Sequence, residues 1–244
     1  MPDLPTLAPV LVRGLPPIWG TPSPSPFVIK LETWLRMAGI AYEARPLLTP
    51  PRSRTGKIPY VEMPDGRVLH DSALIIETLG RERGVDLDAG LDPAERARGH
   101  AIRRMIEDGT YFVGLWERWI SDAGFAATGR DYFRHLPFGL RHVLPHLIRR
   151  NMRANLHGQG AGRLAPADLA AIARADIGAL SNLLGEREYI LGRVSTVDAT
   201  VFAFVWAFSA NPFESALKEE AGNHPNLGAY LTRMRARYWA DGLR

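Results

Sequence analysis

The sequence predicts an α/β domain over residues 1–88 followed by an all-α helical bundle domain over residues 93–244, with a linker at 89–92. Three observations carry this. Up to about Gly84, short β-like runs alternate with helical ones, and Pro and Gly separate them. Beyond Asp92-Pro93 the apolar spacing is helical almost throughout, with no internal repeat. Between the two, Asp86-Leu87-Asp88-Ala89-Gly90-Leu91 keeps neither period. A length of 244 residues that are 46% hydrophobic is enough to bury one large core or two modest ones.

The elements follow in order. Leu7 to Val12 reads as a first strand, at an edge where it starts because Pro9 cannot donate to a ladder. A loop with four prolines runs from Gly14 to Ser25. Phe27, Leu31, Trp34, Leu35 and Ala38 then form an apolar stripe at helical spacing that stops at Gly39, which predicts a helix over Pro26 to Ala38. Tyr42 to Leu48 reads as a strand, and Thr49 to Gly56 as a Pro- and Arg-rich loop where a helix might have stood. Ile58–Met63 and Arg67–Leu69 read as strands around the hairpin turn Pro64-Asp65-Gly66. Leu74, Ile75, Ile76 and Leu79 give a helix that ends before Gly84. The order β-α-β-β-β-α is a thioredoxin-like layout. After it come helices over Pro93 to Asp122, Tyr132 to Asn155 with a break near Pro145, Pro166 to Leu184, Thr196 to Phe208, and Asn226 to Trp239.

Composition narrows the function classes. Cysteine is absent, so disulfides, thiolate metal sites and a protein cysteine nucleophile are excluded, and any sulfur chemistry uses a sulfur brought in by a ligand. Net charge is +4, and residues 1–88 are balanced with 10 basic and 10 acidic side chains. Of the 30 basic residues 27 are arginine, but they are scattered, which argues against a nucleic-acid stripe. The start lacks a basic region followed by an apolar run, and Ala199 to Ala210 is too short to span a bilayer. The reading is a cytoplasmic protein with no membrane segment. No metal site is expected either: His142-x-x-x-His146 is interrupted by Pro145 and encloses no acid.

Three short segments carry the chemistry. In Ser25-Pro26-Phe27-Val28-Ile29-Lys30, Ser25 is suited to cap the first helix and Pro26 to its first position. The same hydroxyl, together with the helix N-terminus, can hold a bound thiol as thiolate. Ser23 and Thr21 compete for that role in the same loop. In Lys57-Ile58-Pro59, an ordinary trans proline can open the strand, or a cis bond can turn the Ile58 backbone outward to pair with an extended peptide. Lys57 can add a charge there, with Arg52 or Arg54 as neighbours. Asp71 and Ser72 either cap the next helix or pair as a clamp, the helix start for a carboxylate and the acid for an ammonium. These are the parts that hold a small acidic thiol peptide. Ser195-Thr196-Val197-Asp198 reads as a structural capping box, with Asp198 not catalytic.

These segments resemble the glutathione transferase superfamily across nearly the whole chain. Ser25-Pro26-Phe27 is similar to the first-helix start of the plant tau-type enzymes. Lys57-Ile58-Pro59 and Asp71-Ser72 resemble the superfamily's cis-proline and acid-serine motifs. The wording of residues 25–40 is closer still to the failed-axon-connections and metaxin-like branch and its bacterial relatives. The resemblance implies glutathione as co-substrate, Ser25 as the thiolate-stabilising catalytic hydroxyl, Ile58 as backbone partner of the cysteinyl moiety, and Asp71 with Ser72 as γ-glutamyl clamp. It also implies a homodimer. Members of the closer branch often carry cysteine where Val28 stands, so thiol transfer through a protein cysteine is impossible here. The expected activity is a transferase in which the glutathione thiolate attacks a hydrophobic, electrophilic small molecule presented by the helical domain. The alternative is a non-catalytic binding or scaffold protein that keeps the fold.

Overall fold

A computed structural model describes residues 8–47, 51 and 53–243. The chain forms two compact units. The first holds residues up to Gly99 together with Arg187–Ala207 and the segment from Tyr230 onward; the second holds His100–Glu186 and Phe208–Ala229.

The first unit is built on a four-stranded mixed sheet. Its strands are β1 (Val10–Gly14), β2 (Tyr42–Pro46), β3 (Tyr60–Glu62) and β4 (Val68–His70), in the spatial order β2-β1-β3-β4. β1 runs parallel to β2 and antiparallel to β3, and β3 is antiparallel to β4. Contrary to the edge position read from Pro9, β1 is an interior strand. Proline is tolerated because it stands just before the ladder, which opens at Val10. Leu7 and Thr49 lie outside the described residues.

Helix α1 (Pro26–Met37) and helix α2 (Ser72–Arg83) pack on the sheet. Leu31, Trp34 and Leu35 from α1 and Ile75, Ile76 and Leu79 from α2 meet Val10, Val12, Val61 and Met63 in one core. Gly14 at the end of β1 is required by this packing: a Cβ there would lie 2.8 Å from a Val28 methyl. The same unit contains α8 (Thr196–Ser209) as far as Ala207 and α10 (Pro225–Tyr238) from Tyr230. Because α8 is apolar on every side, its start must be satisfied internally. Asp198 does this: one oxygen accepts from the Ser195 amide and hydroxyl, both at 2.9 Å, and the other from the Ile190 amide at 3.0 Å and the Tyr230 hydroxyl at 3.1 Å. Half of the capping box read there forms, since Asp198 accepts from the Ser195 amide; the Ser195 hydroxyl donates to Asp198 instead of accepting from its amide, which goes to the Ser195 carbonyl at 3.0 Å.

The second unit is helical. Helix α3 (Pro93–Met105), a π-helical turn (Ile106–Thr110) and α4 (Tyr111–Trp119) replace the single helix read over Pro93 to Asp122. The Thr110 hydroxyl donates to Asp176 at 2.6 Å across that turn. Ser121 then caps a separate α5 (Asp122–Tyr132) through the Gly124 amide. The break read at Pro145 falls instead over residues 133–137, and α6 (Phe138–Gln159) runs through the proline. Pro145 removes only the bond to the Arg141 carbonyl, on an exposed residue. α7 (Pro166–Leu184) has the bounds read from the sequence, while α9 (Ala216–Asn223) was not read. Among the described residues no helix is long and apolar enough to cross a membrane.

Two outcomes are expected. Asp198→Ala leaves two amides and the Ser195 hydroxyl without an acceptor, while the Tyr230 hydroxyl keeps the residue 198 carbonyl at 3.1 Å, and should lower unfolding stability by about 3 kcal/mol in urea titration. Glu32 on α1 is 4% exposed, and burial pushes its carboxyl up to about 7 against opposing pulls from Arg36 and Tyr42. Its stabilising contribution is full below the ordinary value of 4.5 and lost as pH rises through 7. Glu32→Gln should therefore remove about 3 kcal/mol of the stability loss between roughly pH 4 and 8. An unchanged pH slope would contradict this.

Candidate functional site

The sheet register gathers the three segments. Arg13 pairs with Tyr60 across β1 and β3, and Tyr60 pairs with His70 across β3 and β4. The C-terminal end of β1, the start of β3 and the end of β4 thus share one end of the sheet. Ile58-Pro59 stands just before β3, and Asp71-Ser72 just after β4.

In the loop before α1, Ile18 and Thr21 form an isolated bridge. The buried Thr21 hydroxyl is held between the Ile18 carbonyl at 2.7 Å and the Ser23 carbonyl at 2.9 Å. Ser23 is fully buried, its oxygen accepting from the Ser25 amide at 3.4 Å. Of the three competing hydroxyls only that of Ser25 is half-exposed. Ser25 is the N-cap residue of α1, in extended backbone with Pro26 next, yet its side chain makes no capping hydrogen bond. The helix instead closes its first turn with the Val28 and Ile29 amides on the Ser25 carbonyl.

The Ile58-Pro59 bond is cis, with Ile58 half-buried and outside the β3 ladder. The turn before it is fixed by Ser53, a buried residue that sequence reasoning missed. Its hydroxyl accepts from the Lys57 amide at 3.0 Å and donates to the Lys57 carbonyl at 2.7 Å. The Lys57 side chain is exposed, as is Arg54; Arg52 lies outside the described residues.

Helix α2 begins at Ser72, so Asp71 alone is its N-cap, accepting from the Ala73 amide at 2.9 Å and the Leu74 amide at 3.3 Å. Asp71 sits at φ 68°, a conformation that costs a non-glycine residue energy and tends to persist at ligand sites. Ser72 is buried, and its hydroxyl accepts from the Lys30 amine at 3.2 Å. Lys30 is the second residue that sequence reasoning missed. The available signal was a cation at the 27, 30, 34 spacing, on the face that the apolar stripe of α1 buries. Together, two helix N-termini, one uncommitted hydroxyl, one buried ammonium and one strained acid line a single sheet end. That set suits a small peptide with an anionic head and a sulfur to be kept ionised.

Two family models match the chain, that of the glutathione S-transferase N-terminal domain over residues 26–124 and that of the glutathione S-transferase C-terminal domain over residues 173–234. Over 240 residues the chain is 33% identical to the isoprene-epoxide glutathione S-transferase of Rhodococcus sp. (strain AD45), covering 94% of this chain and 99% of that protein. It is 26% identical to Failed axon connections of Drosophila melanogaster, covering 90% of this chain and 56% of that one. Among solved structures, the glutathione S-transferase CsGST63524 of Ceriporiopsis subvermispora in complex with glutathione is similar with a TM-score of 0.65. That match covers 94% of this chain and 98% of the other at 17% identity, a likeness of fold.

Asp71→Ala removes the α2 cap and keeps a Cβ at a positive φ, so it should cost about 2 kcal/mol in urea titration. Asp71→Asn, which caps and tolerates that φ, should cost less than about 0.5 kcal/mol.

Proposed function

Because the chain belongs to the glutathione S-transferase family, we propose that it conjugates glutathione to small hydrophobic electrophiles, using Ser25 to hold the thiolate. The observation that carries this is the half-exposed Ser25 hydroxyl at the start of α1, not spent on its own helix cap. A thiol near pKa ~8.5 is mostly protonated at neutral pH, and a donor beside a helix N-terminus favours its ionised form. The Ser25 hydroxyl donates to the sulfur and takes no covalent part. The thiolate attacks the electrophilic carbon: with an epoxide the C–S bond forms as the C–O bond breaks and water protonates the alkoxide, and with chlorodinitrobenzene the C–S bond forms before chloride leaves as the ion. The name of the Rhodococcus relative makes small epoxides the first acceptors to try.

In the same reading, Ile58 and Pro59 present the backbone to the cysteinyl moiety, Lys57 adds charge near its glycine end, and Asp71 with Ser72 holds the γ-glutamyl end. Residues 1–88 form the glutathione-binding domain and 93–244 the helical one, with 89–92 between them. The protein acts as a cytoplasmic homodimer. Support for self-association comes from Leu74 on α2 and from Leu140, Val143 and Leu147 on α6, all more than half exposed. α6 carries arginines and no acid, whereas Asp71 and Glu77 lie near Leu74. Analytical ultracentrifugation tests this, with a monomer as the opposing result.

Calorimetry with glutathione followed by rates on chlorodinitrobenzene and a small alkyl epoxide tests the activity. At about pH 6.5, Ser25→Ala should raise the bound thiol's pKa by about two units, worth about 2.7 kcal/mol, and cut turnover by one to two orders of magnitude while glutathione Kd stays within about threefold. Wild-type turnover in Ser25→Ala would remove Ser25 from the mechanism. Binding by the wild type without turnover on either acceptor would favour a scaffold.

A further inference from the structure

We propose that Lys30 is the positioning residue of the γ-glutamyl clamp, acting through Ser72; this rests on the glutathione reading above. Lys30 is 1% exposed on α1, within the face that carries Leu31 and Trp34 to the core, and its amine donates to Ser72 Oγ at 3.2 Å. An ammonium taken out of water at such a place is costly unless hydrogen-bonded, so a lysine here is not an ordinary surface cation.

The donor count gives it a direction. A charged lysine amine has only protons to give, whereas a serine hydroxyl has one proton and two acceptor positions. With Lys30 donating to it, Ser72 Oγ is the acceptor of that pair, and its own proton is directed to a third group. Ser72 is the first residue of α2, where the helix N-terminus favours an anion. A carboxylate placed there accepts from the Ser72 hydroxyl, and the hydroxyl is polarised by the cation behind it. The glutamyl α-carboxylate of glutathione is the group that fits. Lys30 does not touch it: the lysine fixes which way the serine donates and sets a positive charge one hydrogen bond behind the contact. A merely structural lysine, tying α1 to α2, would serve every ligand alike.

The discriminating measurement is calorimetry with two ligands, glutathione and γ-aminobutyryl-cysteinyl-glycine, which lacks only that carboxylate. Lys30→Met should weaken glutathione about tenfold and leave the analogue within about twofold of wild type. In a Ser72→Ala background, Lys30→Met should add little further loss, because its route is already cut. Lys30→Gln, which keeps a donor and drops the charge, should show the same ligand selectivity to a smaller extent. Equal loss for both ligands, additive losses with Ser72→Ala, or no loss overturns the proposal, as does failure of both Lys30 variants to fold by circular dichroism. A wild type that does not bind glutathione removes the underlying reading itself; a wild type that binds it while the variants behave alike on both ligands removes only the role of Lys30.

Discussion

The pairing of Arg13 with Tyr60 and of Tyr60 with His70 sets where every group of the site stands. Strands spaced about 4.8 Å apart put the ends of β1 and β4, two strands away from each other, roughly 10 Å apart. An extended chain covers about 3.3–3.6 Å per residue, so a tripeptide reaches about the same distance. The width of three adjacent strands thus matches the reach of the tripeptide proposed to bind at this sheet end. The register also explains why proline stands before β1 and β3: each strand opens after its proline, so no ladder donor is lost.

Helix α1 joins this sheet end to the rest of its unit. From Val28 to Leu35 every residue is buried, including Lys30, Glu32 and Thr33. Each polar one has a partner: Ser72 for Lys30, Tyr42 with Arg36 for Glu32, and the Trp239 indole for Thr33 at 3.1 Å. The helix that presents Ser25 is thus held from the sheet side by aliphatic packing and from elsewhere by individual hydrogen bonds. That is the rigidity a hydroxyl needs if it is to favour a thiolate without moving.

Much of this was legible in the sequence, and the failures have identifiable causes. The β-α-β-β-β-α order and the bounds of α7 follow from apolar period, a proline at the helix start and a glycine after its end, all local signals. The site segments were legible because caps and prolines are local too. What was not legible depended on tertiary context. Lys30 reads as a solvated lysine until α2 is seen beside it. Ser53 reads as loop until its hydroxyl is seen bridging Lys57. The break near Pro145 was a local rule overridden, since an exposed carbonyl can be satisfied by water. The π-helical turn at Ile106–Thr110 leaves almost no trace in an apolar pattern, because it shifts the stripe by a single residue.

The first compact unit is discontinuous along the chain. Its core helix α1 is bonded through Thr33 to Trp239, and Arg36 reaches the Tyr238 carbonyl and Asp241. During synthesis the amino-terminal strands leave the ribosome some two hundred residues before these partners exist. That unit therefore closes only once its last helix has been made: the apolar face of α1 can pack on the sheet and α2 early, while Thr33 and Arg36 wait through some two hundred further residues for their partners.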